Sequence, residues 1–222
     1  MTSKPIVFVV DNDLTVRESL ESLIGASGWH PMTFASAREF LAQPRVTAPS
    51  CMVLDVALPG LGGLDLQKLV ADRTDLPVIF LTGHGDVEMT VRAMKAGAIE
   101  FLTKPCRPEV LRGAIADALG RSRGALAREE AMKSLRESYA SLSPRERAVM
   151  TLVVSGLLNK QVGGELGISE ITVKAHRGQV MRKMGADSLA GLVRMADRLG
   201  LPPAATEWMR PVAMTARPEL AL

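Results

Sequence analysis

Asp11, Asn12 and Asp13 follow directly on the apolar run Ile6–Val10, and Asp55 closes the apolar run Cys51–Leu54. Thr82 follows Val78–Leu81, and Lys104 with Pro105 follows Ile99–Leu102. Each polar residue thus stands just past the carboxyl end of a short apolar run. In an open parallel sheet the loops at the carboxyl ends of the strands face one crevice, and ligands bind there. A fold of that kind gathers carboxylates, one hydroxyl and one ammonium. Carboxylates in an oxygen-rich loop suit a hard divalent cation, Mg²⁺ above all. Lys104 and Thr82 would offer positive charge and a hydrogen-bond donor to phosphoryl oxygens, and the Asp55 carboxylate can form an acyl phosphate. Taken singly, these residues read as helix caps and a surface lysine; together they read as a phosphoryl-transfer site.

The chain has 222 residues, 47% of them hydrophobic and 23% charged, which excludes global disorder, a collagen repeat and a disulfide-stapled miniprotein. Met32–Phe34 is a weaker apolar run, so five short strands are expected. The segments between them carry helical spacing: Leu14, Val16, Leu20, Leu23 and Ile24; Leu64, Leu66, Leu69 and Val70; Val87, Val91 and Met94. Strands alternating with such segments predict a doubly wound α/β domain with a five-stranded parallel sheet over the first ~120 residues. A long helix is expected from Pro108 to about Tyr139. Its Leu111, Ile115, Leu119 and Leu126 suggest a seam for a partner chain, weakened by Gly113, Gly120 and Gly124.

From Leu142 the pattern changes to short helices. Ser143-Pro144-Arg145-Glu146 is a helix start, Ser169 and Ser188 are further caps, and Gly156, Gly167, Gly185 and Gly200 mark helix ends. Asn159–Leu166, a turn at Gly167 and a helix capped by Ser169 make a helix-turn-helix. The second helix carries Thr172, Lys174, Arg177, Gln179, Arg182 and Lys183 on polar faces, with Ile171, Val173, Val180 and Met184 expected as its inward stripe. Cationic and amide side chains on such a helix suit the major groove of double-stranded DNA. Lys160, Arg182 and Lys183 suit phosphates, which position the protein without specifying sequence. His176 reads as a packed or phosphate-facing residue.

Charge agrees with that division. Residues 1–119 hold 11 Lys and Arg against 14 Asp and Glu, whereas residues 120–222 hold 16 against 10. A basic half suits a polyanion. Aromatic residues are only 4%, too few for an RNA stacking platform. Cys51 and Cys106, the two cysteines, read as reduced packing residues, and a cytoplasmic protein without a membrane span is expected.

Val10-Asp11-Asn12-Asp13, Val53-Leu54-Asp55-Val56, Leu58-Pro59-Gly60, Leu81-Thr82-Gly83-His84-Gly85-Asp86, and Ala96-Gly97-Ala98 through Lys104-Pro105 resemble the receiver domain of two-component response regulators. The resemblance implies Asp55 as the acceptor of a phosphoryl group from a histidine kinase and Lys104 as the ammonium that senses it. Thr82 and Phe101 would be a switch pair, and Lys104–Pro105 a cis peptide bond. Mg²⁺ would be held by Asp11, Asn12, Asp55 and the backbone carbonyl of Ala57. It further implies a homodimer on activation through the face carrying Glu88, Val91, Lys95 and Phe101. Leu142–Arg147 with Gly156, and Ile168–Met184, resemble the LuxR-type helix-turn-helix, and the whole chain resembles the FixJ branch of response regulators. This implies a four-helix DNA-binding domain paired through Leu189, Leu192 and Val193 and reading paired half-sites to regulate transcription.

The implied organisation is a receiver domain over 1–120, a helical linker over 121–141, an all-α helix-turn-helix domain over 142–201 and an irregular tail over 202–222. One departure stands out: the second member of the family's acidic pair is here Asn12. An amide removes a unit of negative charge from the metal site, worth on the order of 1–3 kcal/mol. Weaker Mg²⁺ binding and slower phosphorylation are expected, and the alternative is a regulator that no longer needs phosphorylation. Asp13 is expected to cap the first helix or face solvent. A magnesium-dependent phosphohydrolase is disfavoured because Ala57 stands two residues after Asp55, where a second acid is needed.

Overall fold

The computed structural model describes residues 4–83 and 86–202. The chain divides into two units, residues 1–130 and 131–222. Five strands open the first unit: β1 (Ile6–Val10), β2 (His30–Phe34), β3 (Ser50–Leu54), β4 (Val78–Thr82) and β5 (Glu100–Thr103). All pair in parallel, in the order β2-β1-β3-β4-β5. Between them run α1 (Leu14–Ala26), α2 (Ala37–Leu41), α3 (Gly63–Leu69) and α4 (Val87–Lys95), and α5 (Pro108–Ala140) follows β5.

The inner strands β1, β3 and β4 are buried on both faces, so their near-continuous apolar runs sort by alternation. Val7, Val9, Cys51, Val53, Ile79 and Leu81 face α1 and α5, packing on Leu20, Ile24, Leu111, Ile115 and Leu119. Phe8, Val10, Met52, Leu54, Val78 and Phe80 face the other way, onto Phe40, Leu66, Val70 and Ala93. Cys51 is buried in the first of these layers, and burial pushes its thiol up to about 12. Both cysteines are free thiols.

Several periodic stripes point elsewhere than their spacing suggests. Leu111, Ile115 and Leu119 are spent on the unit's own sheet and offer no seam to a partner. The stripe on α4 is turned outward instead: Val87 is 81% exposed, with Val91 and Met94 also exposed, while Ala93 alone is buried. Leu14 and Leu69 are likewise exposed. A helix covering a sheet with one small residue lies close to it, so Ala93 does the packing. α5 continues unbroken through Gly113, Gly120 and Gly124. Ser122 holds its middle: the buried hydroxyl donates to Asp75 O at 2.6 Å and accepts from Ser50 N at 2.9 Å.

The second unit contains α6 (Pro144–Val154), α7 (Asn159–Leu166), α8 (Glu170–Met184) and α9 (Leu189–Arg198). Ser143 and Glu146 form the expected capping box, and Ser169 and Ser188 accept from Thr172 N and Gly191 N. Gly167 and Gly185 cap α7 and α8 with φ of 64° each, a left-handed conformation that disfavours a Cβ. Val173, Val180 and Met184 are buried as expected, but Ile171 is 80% exposed, because it lies about 200° around the helix from Val173. Leu192, expected to meet a second copy, is completely buried in its own unit beside Met150, Val180 and Met184. Most of the tail, 203–222, lies outside the described residues.

The turn between α7 and α8 depends on close packing at Gly163. A Cβ there would come within 2.7 Å of Ile168 O, whereas one on Gly164 would meet nothing within 4 Å. Gly163→Ala is therefore expected to destabilise the second unit by about 1–3 kcal/mol, and Gly164→Ala to be neutral or stabilising by up to about 1 kcal/mol. Urea unfolding followed by circular dichroism separates the two.

Candidate functional site

The strand order reverses at β1 and β3, so their connecting helices leave on opposite faces and a crevice opens at the carboxyl ends of the two strands. Asp11 lies at the end of β1 and Asp55 at the end of β3, each largely buried at 2% and 7% exposure. Lys104 reaches them from the end of β5: its Nζ lies 2.6 Å from Asp11 Oδ2 and 3.4 Å from Asp55 Oδ2. The other oxygen of each carboxylate is fixed by backbone. Asp13 N donates to Asp11 Oδ1 at 2.9 Å, and Ala57 N donates to Asp55 Oδ1 at 3.3 Å. Arg17 donates to Asp11 O at 2.7 Å and holds the loop from α1. Two carboxylates thus turn one oxygen each toward a shared cation.

Thr82, the last residue of β4, is fully buried, and its carbonyl accepts from Lys104 N at 2.8 Å. The Lys104–Pro105 peptide bond is cis. Phe101 on β5 is half-buried, its ring centroid 5.8 Å from that of Phe80. Asn12 is exposed beside Asp11. Asp13 accepts from Thr15 N and Val16 N, so its carboxylate caps α1.

The donor set fits a small hard cation. Asp11 and Asp55 supply two converging carboxylates, and the Asn12 amide and Ala57 carbonyl are oxygen donors in the same two loops. Among the described residues no three His, Cys, Asp or Glu side chains group as a metal site. Two carboxylates with amide and carbonyl oxygens nearby are donors of the kind Mg²⁺ takes, with several waters kept.

One contributor was missed in the sequence. A Cβ on Gly63, the first residue of α3, would lie 2.1 Å from Asp55 O, so only glycine lets α3 start against the Asp55 backbone. The Gly62-Gly63 pair after the Pro59-Gly60 turn was its available signal. Gly63→Ala is expected to displace Asp55 and slow its modification by a phosphodonor about tenfold or more. Gly62→Ala, with no contact shorter than 3.9 Å, is expected to stay near wild type. Phosphorylation time courses on a phosphate-affinity gel compare the two.

In the second unit Lys160, Lys174 and Arg182 are exposed, as a nucleic-acid surface requires, and Lys174 pairs with Glu170 at 3.1 Å. Arg182 bonds Gln179. Thr172 is half-buried and bonds the Ser169 hydroxyl at 2.8 Å, and Arg177 donates to Asn159 Oδ1 at 3.2 Å. Lys183, expected at a DNA phosphate, makes contacts within its own unit. Its Nζ lies 2.7 Å from the Glu146 carboxylate, whose side chain is 8% exposed, and also donates to Ser141 O at 3.2 Å. Val91, Lys95, Leu189 and Val193 are exposed, and Leu192 is not.

The Lys183 ammonium, followed by the Ser143 backbone N–H, holds the Glu146 carboxyl below the usual glutamate range. A depressed folded value means stability that is fully present above the unfolded value of 4.5 and is lost as pH falls through the folded one. Glu146→Gln is expected to unfold at lower urea than wild type at pH 7, with the gap closing below about pH 4.

Two family descriptions match the chain: "Response regulator receiver domain" over residues 7–116 and "Bacterial regulatory proteins, luxR family" over residues 140–196. Nodulation protein W of Bradyrhizobium diazoefficiens is 49% identical over 207 residues, covering 93% of this chain and 91% of that protein. Transcriptional regulatory protein FixJ of the same organism is 40% identical over 202 residues, covering 90% and 98%. Among solved structures, the response regulator StyR is 44% identical with a TM-score of 0.79, covering 88% of this chain and all of that one.

Proposed function

The chain belongs to the response regulators that join a receiver domain to a LuxR-type DNA-binding domain, and on that premise we propose that Asp55 is the residue whose phosphorylation governs its regulation of transcription. The observation that carries this reading is the shared contact of Lys104 with Asp11 and Asp55. It keeps one Asp55 oxygen facing an opening where charge can be neutralised. A sensor kinase supplies the phosphoryl group. An Asp55 oxygen attacks the phosphorus of a phosphohistidine, the P–N bond breaks, and the imidazole nitrogen keeps the electron pair and takes a proton from solvent. Lys104 then meets a phosphoryl oxygen where it met the carboxylate. Asp11, Asp55, Asn12 and the Ala57 carbonyl would hold Mg²⁺, which would supply charge neutralisation at the phosphoryl group. Ala57 offers no acid for a hydrolytic second step, so Asp55 serves as a switch.

In this reading Thr82 moves toward the new phosphoryl group and Phe101 follows into the freed space, remodelling the α4–β5 face. That face is already apolar: Val87, Val91 and Met94 are exposed on α4 beside Lys95, which supports homodimerisation there. Leu189 and Val193, both exposed on α9, would pair two DNA-binding domains. Residues 1–120 act as the receiver, 121–141 as the connecting helix and 142–201 as the DNA-binding domain. Lys160, Thr172, Lys174, Arg177, Gln179 and Arg182 remain its proposed contacts to DNA. No helix among the described residues is long and apolar enough to cross a membrane. We place the protein in the cytoplasm, where its DNA is.

Gel filtration and binding to duplexes selected from a random pool, with and without acetyl phosphate and Mg²⁺, test this on wild type, Asp55→Asn and Asn12→Asp. Wild type is expected to dimerise and bind more tightly with the donor, and Asp55→Asn to respond to neither. Equal responses in the two proteins overturn the switch. Asn12→Asp is expected to bind Mg²⁺ about tenfold more tightly by calorimetry, through the restored charge. Unchanged affinity would mean that the amide is no handicap.

A further inference from the structure

α8 turns an unusual residue toward its reading side. Val173, Val180 and Met184 are buried, and at about 100° per residue the opposite ridge is Ile171, Ala175, Gly178 and Arg182, all exposed. Ile171 is 80% exposed in the first turn of α8, where a groove-reading helix contacts base edges. Single exposed apolar residues are common on protein surfaces. This one differs in its position and its neighbours. It packs in neither apolar core of its own unit, and its β-branched side chain is a poorer helix former than the charged residues around it. Ala175 and Gly178, along the same ridge, carry no long side chain to hold the helix away from a groove floor. Lys174 stands beside them, tied to Glu170 by an exposed pair that exchanges readily for DNA.

The major groove presents one apolar group, the C5-methyl of thymine. We propose that Ile171 is a specificity-determining residue that packs on a thymine methyl in each half-site. The proposal rests on α8 as the helix that enters the groove. Lys174 and Arg182 then supply charge to the duplex, and Ile171 supplies a preference for thymine that a polar side chain at this position would lack.

The experiment uses the full chain, with and without acetyl phosphate, on duplexes selected from a random pool. Each thymine of the selected site is replaced in turn by deoxyuridine, which pairs identically and lacks only the methyl. Wild type is expected to lose about 3- to 10-fold in affinity at one thymine per half-site. Ile171→Ala is expected to bind the thymine and uracil duplexes equally, and Ile171→Val to regain part of the difference. Circular dichroism checks that each variant is folded. Indifference of wild type to every replacement overturns the proposal, as does an Ile171→Ala protein that keeps the full methyl sensitivity. If both Ile171→Ala and Lys174→Ala retain the selected sequence and its affinity, α8 is not the reading helix, and that assignment falls together with the proposal.

Discussion

Lys104 Nζ lies 2.6 Å from Asp11 and 3.4 Å from Asp55, and the arrangement of the first unit can be understood from what that contact requires. Two largely buried carboxylates on adjacent strands repel each other, and a cation between them offsets that repulsion. Asp11 and Asp55 sit where the strand order reverses, and Lys104 comes from the far strand β5. Their remaining oxygens are occupied by the backbone N–H groups of Asp13 and Ala57. Each carboxylate is thereby pinned on one side and available on the other, the condition for a nucleophile that must be oriented without being spent. Gly63 belongs to the same arrangement, since α3 starts in van der Waals reach of the Asp55 backbone.

The DNA-binding unit separates positive charge that builds it from positive charge that can meet DNA. Lys183 is held by Glu146, which also closes the capping box of α6, so one carboxylate joins the start of α6 to the end of α8. Arg145 and Arg147 donate to the carbonyls of Leu166 and Ala140. Lys160, Lys174 and Arg182 remain exposed. A count of basic residues overstates the charge free for DNA, because part of it is consumed in positioning the helices.

Asn12 stands at the edge proposed to hold the metal. The side chain is exposed and the neighbouring Asp13 is committed to capping α1. On the proposed reading, the departure bears on ion affinity and on the rate of phosphoryl transfer.

Residue order alone determined the strands, the doubly wound sheet, the caps at Ser143, Ser169 and Ser188, and the gathering of Asp11, Asp55, Thr82 and Lys104. Those features follow from alternation along the chain, from local side-chain to backbone bonds, and from the rule that all strand ends in a parallel sheet open on one side. Tertiary structure decided which way each apolar stripe points. Leu111, Ile115, Leu119 and Leu192 have a partner's spacing but are buried in their own units, whereas Val87, Val91 and Ile171 are left outside. Periodicity records that a helix has an apolar face, and only the packing of neighbouring elements says whether that face is already covered. The same holds for charge: only the fold brings Glu146, 37 residues away in sequence, within 2.7 Å of Lys183.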